Sequence, residues 1–107
     1  MPDMQAARAR LEAQLAELEG RLQRIESDLA EPADPDSSER AVQMEGGEAL
    51  EAQAAIVSQE ITSVRRALGR IADGTYGTCA KCGEEISANR LAARPEASLC
   101  IACASEA

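Results

Sequence analysis

Four cysteines are the residues of this chain best equipped for chemistry: Cys79 and Cys82, then Cys100 and Cys103. They are the only cysteines among 107 residues and form two C-x2-C pairs with seventeen residues between them. One such pair alone is ambiguous between a redox dithiol and half of a metal site. Two pairs at this separation read as one tetrahedral zinc site with four thiolate ligands. Histidine is absent, so no mixed site is available. Four thiolates fill the coordination sphere and leave no open position for a reacting water, which makes the expected single zinc ion a structural staple. No other catalytic constellation is present: there is no histidine base, no glycine-rich phosphate loop, and no serine or cysteine nucleophile with a partner. A non-enzymatic protein is expected.

The segment around the cysteines has little else to fold around. Trp and Phe are missing from the chain, and Tyr76 is its one aromatic residue. So small a core cannot offset the entropy of ordering about thirty residues, and the metal must supply most of the stability. Structural zinc sites release about 10–16 kcal/mol of apparent free energy at neutral pH, enough to switch such a segment from unfolded to folded.

The elements that position this module are legible from apolar spacing. Met4, Leu11, Leu15, Leu18, Leu22, Ile25 and Leu29 follow an alternating three- and four-residue interval, interrupted only by Arg8 at one core position. Leu50, Ala54, Val57, Ile61, Val64, Leu68 and Ile71 repeat the pattern. Both are heptad seams of long helices. Between them, Pro32 and Pro35 end the first helix, and Asp36 followed by Glu39 fits a capping box that restarts helix near Ser37. So short a turn sends the second helix back antiparallel to the first, pairing Leu22 with Leu50, Leu18 with Ala54, Leu15 with Val57, Leu11 with Ile61 and Met4 with Leu68. At about 1.5 Å per residue the hairpin would be roughly 40–50 Å long. Gly46 and Gly47 are weak points, each costing about 1 kcal/mol relative to alanine. Gly74 suits a left-handed cap at the end of the second helix. The expected organisation is mainly α: a coiled-coil hairpin over residues 1–73 with an acidic tip near 31–41, then a four-cysteine zinc module with a short C-terminal helix over 74–107.

Charge is distributed unevenly. The net value is −8, and residues 26–51 account for all of it, with nine carboxylates against Arg40. The finger segment holds only three bases, Lys81, Arg90 and Arg94, against four acids. Direct DNA binding, which draws on a basic surface, is therefore not expected. Clustered acids repel one another within a Debye length of about 8 Å and gain the fold nothing, so an acidic probe aimed at a basic partner surface or a metal ion would explain them. They could equally form a solvated loop in which Asp36 and Glu39 act only as caps. No stretch approaches the roughly 20 apolar residues of a membrane span. A cytoplasmic protein is expected, monomeric because the proline turn favours an intramolecular hairpin.

The run Ala67-Leu68-Gly69-Arg70-Ile71-Ala72-Asp73-Gly74-Thr75-Tyr76-Gly77-Thr78-Cys79, with Cys82-Gly83-Glu84-Glu85-Ile86, Arg90-Leu91-Ala92-Ala93-Arg94-Pro95 and Leu99-Cys100-Ile101-Ala102-Cys103, resembles the DksA/TraR zinc-finger family. The resemblance is continuous over residues 64–103. It implies a bacterial regulator that binds RNA polymerase rather than DNA, inserting its hairpin into the secondary channel so that an acidic tip approaches the catalytic centre. The family's tip pattern, Asp-x-x-Asp-x-Ala, is matched by Asp36-Ser37-Ser38-Glu39-Arg40-Ala41, with glutamate for the second aspartate; Asp34 stands just before it. Members typically act with the alarmone guanosine tetraphosphate. Arg94 matches one of the family's basic contacts to it, but Ser63 and Ala104 stand where longer members carry lysine, so a weak or absent alarmone response is expected. Arg90 and Arg94 are expected to brace the finger or to contact polymerase or alarmone, and Lys81 to be a solvated charge. Two rival readings are a transcript-cleavage factor holding Mg²⁺ at its acidic tip, and a redox or zinc-buffering protein whose hairpin is a dimerisation arm.

Overall fold

Two long helices and two short ones account for the fold: α1 (Met4–Ala30), α2 (Ser37–Asp73), α3 (Ala88–Ala93) and α4 (Ile101–Glu106). The computed structural model describes residues 3–30 and 37–106, with the backbone alone for 37–47. The architecture is mainly helical. Among the described residues, pairing of the β type is limited to one antiparallel bridge, Thr78 with Glu85.

The start of α1 and the end of α2 each have a physical cause. The Asp3 carboxylate accepts the backbone N–H groups of Gln5 at 3.0 Å and Ala6 at 3.1 Å, taking up donors that the first turn of α1 leaves without partners. At its far end α2 closes on Gly74, whose φ of +80° is a conformation only glycine adopts freely. Gly74 N–H donates to Ile71 O at 3.3 Å and Thr75 N–H to Arg70 O at 2.9 Å, the paired bonds of a Schellman motif. α2 begins at Ser37, where the capping box was expected, and runs unbroken through Gly46 and Gly47. Asp36 lies outside the described residues.

The chain forms two compact units, residues 1–16 with 62–107 and residues 17–61. The first groups the start of α1 with the end of α2, so the two helices run antiparallel. In the 17–61 unit, Leu18 and Ile25 of α1 and Val57 and Ile61 of α2 are buried. Leu22, Leu29, Leu50 and Ala54 are half-buried beside them. A two-helix seam has no third element to cover its flanks, so the heptad positions are unequal. In the other unit Leu11, Val64, Ala67 and Ile71 join Tyr76, Cys79, Ile86, Leu91, Ala97 and Cys103 in one small core. Arg8, which interrupts the expected seam, is exposed. No helix among the described residues is long and apolar enough to cross a membrane.

Candidate metal centre

The first cysteine pair sits in a small hairpin spanning residues 77–86. Ile86 N–H donates to Gly77 O and Cys79 N–H to Glu84 O, both at 2.8 Å. Gly83, at φ +79°, turns the chain and donates to Cys79 O at 3.0 Å. This folds Cys82 back so that its N–H faces the Cys79 sulfur at 3.5 Å. The second pair is positioned by α4: Cys100 immediately precedes the helix and Cys103 lies in its first turn, three residues on and therefore on the same side.

These two devices converge. All four sulfurs lie within 4.8 Å of one another, with Cys82 and Cys100 3.7 Å apart. A disulfide would need about 2.05 Å, and all four cysteines are free. A tetrahedral zinc ion about 2.3 Å from each sulfur sets sulfur–sulfur separations near 3.8 Å, so the donor set fits the metal in both type and spacing.

The electrostatics of the cage point the same way. Backbone N–H groups of Cys82 and Cys100, with that of Lys81, lower the Cys79 thiol to about 6. Hydrogen bonding with Cys100, then burial and the remaining sulfurs, push Cys103 up to about 12. Cys82 is raised as well: the Glu84 N–H stabilises its thiolate, but the Cys79 side chain and burial outweigh it. Crowded thiols thus keep protons that a bound dication would displace, which couples metal affinity to pH.

Around the cage, the Ser87 hydroxyl caps α3 by accepting Arg90 N–H at 3.2 Å. The Arg90 side chain then reaches from α3 to donate Nε–H to Leu99 O at 2.7 Å, so Arg90 braces the finger. Arg10 of α1 donates to Ala92 O at 2.9 Å. Tyr76 is buried, and its hydroxyl donates to Pro95 O at 2.8 Å. Burial raises its pKa, with Arg70 opposing the rise. Arg94 is exposed, and its backbone N–H donates to Arg90 O at 2.7 Å. Lys81, expected to be solvated, makes a 3.0 Å pair with Glu106 in which both side chains are more than half exposed; such a pair adds little stability. Ser63 is exposed on α2 and Ala104 half-buried on α4. Of the expected tip, Asp34 and Asp36 lie outside the described residues; Glu39 and Ala41 fall within the backbone of α2, their side chains outside the description. Sequence reasoning passed over Arg10, Arg70 and the Asp3 cap. For Tyr76 the signal was present, since a sole aromatic with a polar tip has to be buried against an acceptor.

Comparison with known proteins supplies context for this geometry. Residues 74–107 match the family model "Prokaryotic dksA/traR C4-type zinc finger", and residues 8–71 match "DnaK suppressor protein-like, N-terminal domain". The solved structure of transcription factor DksA2 from Pseudomonas aeruginosa superposes with a TM-score of 0.83 at 28% identity, covering 99% of this chain and 89% of that one. The solution structure of the DnaK suppressor protein from Agrobacterium tumefaciens C58 gives a TM-score of 0.69 at 37% identity, over 98% of this chain and 94% of that one. Among curated proteins, the RNA polymerase-binding transcription factor DksA of Escherichia coli K12 is 44% identical over 43 residues, 40% of this chain and 28% of that protein. An uncharacterised protein of Aquifex aeolicus is 48% identical over 50 residues, 44% of this chain and 34% of that protein. The chain thus matches about a third or less of the length of these curated relatives.

Proposed function

Because the chain belongs to the DksA/TraR family, we propose that it regulates transcription by binding RNA polymerase and performs no covalent chemistry of its own. The observation that most supports this reading is the correspondence with a solved DksA2 transcription factor over 99% of the chain. One zinc ion, held by Cys79, Cys82, Cys100 and Cys103, acts as a structural staple; four thiolates leave it no position for a reacting water.

The mechanism is electrostatic and steric. Residues 17–61 carry twelve carboxylates against three arginines, a net −9 that steers this part of the chain toward a basic surface. In this reading the hairpin enters the polymerase secondary channel, and Asp34, Asp36 and Glu39 with Ala41 approach the catalytic elements and shift the stability of the promoter complex. The protein acts in the cytoplasm as a monomer without contacting DNA. With Arg94 alone of the three basic alarmone contacts, and Ser63 and Ala104 at the other two, response to guanosine tetraphosphate is weak or absent.

A reconstituted transcription assay on a ribosomal RNA promoter, with and without guanosine tetraphosphate, tests this reading. Wild-type protein is expected to change transcript yield at most weakly more with the alarmone than without it, and an Asp36→Asn, Glu39→Gln variant to bind polymerase yet lose the effect. Failure to bind polymerase would refute the function. A fully active double variant would refute the role of the tip.

A further inference from the structure

We propose that Arg70, Tyr76 and Arg90 are positioning residues for the metal site: they hold residues 95–99 as a strap that preorganises Cys100 and Cys103 and couples metal occupancy to the end of α2. The observation is a run of five consecutive backbone carbonyls, each captured by a donor from elsewhere in the same compact unit. Pro95 O accepts the Tyr76 hydroxyl at 2.8 Å. Glu96 O and Ala97 O share Arg70 Nη2 at 3.3 and 3.4 Å. Ser98 O accepts Ala80 N–H at 2.8 Å, and Leu99 O accepts Arg90 Nε–H at 2.7 Å. The next residue is Cys100.

Backbone carbonyls must find donors, but an irregular segment usually finds them in solvent. Here the donors come from α2, from the loop after it, from between the first two cysteines and from α3. Ala80 ties the strap to the Cys79–Cys82 pair, so both halves of the sulfur cage are linked through these five residues. Arg70 stands at the junction. Its own carbonyl accepts Thr75 N–H at 2.9 Å and Tyr76 N–H at 3.2 Å, closing α2, while its guanidinium grips the strap. One residue thereby joins the helix end to the chain that delivers Cys100. Because coupling is reciprocal, whatever factor the strap adds to metal affinity, the metal adds to closure of the strap and of the last turn of α2.

The test uses the zinc-loaded 107-residue chain, with zinc affinity measured by chelator competition and backbone amide exchange followed with and without the metal. Loss of a hydrogen bond corresponds to about 2- to 12-fold, so Tyr76→Phe is expected to weaken zinc binding about 3-fold, and Arg70→Met and Arg90→Met about 10-fold each. Combining Tyr76→Phe with Arg70→Met should cost less than the product of the two, because both act on one strap. Arg21→Met, in the 17–61 unit, should leave zinc affinity unchanged. On zinc removal the Thr75 and Ala80 amides should lose protection together. A role confined to the general stability of this unit would also lower zinc affinity, because metal binding and folding are coupled, but its effects would add in full in the double variant. Wild-type affinity in both Tyr76→Phe and Arg70→Met, or Thr75 protection indifferent to zinc, overturns the proposal; should Arg70→Met not fold, Tyr76→Phe decides by itself. None of these readouts involves polymerase, so they stand or fall apart from the proposed function.

Discussion

Residues 1–16 with 62–107 and residues 17–61 are built on opposite plans. The first unit carries seven acids and eight bases and is nearly neutral; the second carries net −9. The first is closed by a Schellman motif, a sulfur cage, a buried tyrosine and side chains clamped onto carbonyls. The described part of the second buries four large residues in a helix–helix seam, with an exposed Arg21–Glu17 pair at 3.3 Å outside it. Self-repulsion is thus concentrated in the unit whose described part buries four apolar side chains, against ten in the other. The difference teaches that the two features are segregated: the acidic excess lies on residues 17–61, and the described cross-bracing lies in the other unit.

The sharpest way to break the contrast is to remove the metal. Chelation, or Cys100→Ser, should withdraw on the order of 10 kcal/mol from the finger and unfold it, while circular dichroism retains the helical signal of residues 17–61. Loss of all helix together would mean that the units are not independent. Next in size, Leu11→Ala and Leu18→Ala should each cost about 2–5 kcal/mol in denaturant melts, since both side chains are buried. Only Leu11→Ala, in the unit of the finger, should also weaken zinc binding.

Proton competition gives a third handle. Cys82 is raised and Cys103 stands near 12, so both are protonated thiols at neutral pH before metal binds. Zinc must displace at least these two protons, so its affinity should rise at least about 100-fold per pH unit from pH 6.5 to 8 and fall correspondingly on acidification. Chelator competition across that range checks the slope, and a slope near zero would contradict the thiol assignment. The smallest effects come from paired glycines. An added Cβ at Gly69 meets nothing within 4 Å, and at Gly20 only the Arg24 guanidinium at 3.6 Å. Alanine at either helical position should therefore stabilise by about 0.5–1 kcal/mol, Gly69→Ala acting on the braced unit and Gly20→Ala on the charged one.

The helices and cysteine cage were legible because each follows from a short-range rule. Heptad spacing identified Leu11, Leu18 and Ile25, and Gly74 announced the end of α2. Spacing could not tell that Leu15 and Leu22 would be only half-buried, since a periodic pattern does not say how many neighbours a seam has. Nor did it find Ala67, off the seam yet fully buried near the end of α2. Arg70 was opaque for a related reason, and Arg90, expected to brace the finger, showed no target. Their targets are main-chain oxygens, which every residue carries and no sequence pattern marks. Membership of a family carried the reading of Asp34, Asp36, Glu39 and Ala41 further than their chemistry could, because acids next to proline cap helices and probe partners with the same side chains.

Tyr76 has a practical consequence. It is the sole aromatic ring in the chain and is 5% exposed, with its hydroxyl engaged by Pro95. Ultraviolet emission from the purified polypeptide therefore originates at one point, a few residues from the cage, with no tryptophan to mask it. Opening of the finger could be timed by fluorescence against a dark background, without attaching a dye or altering an atom.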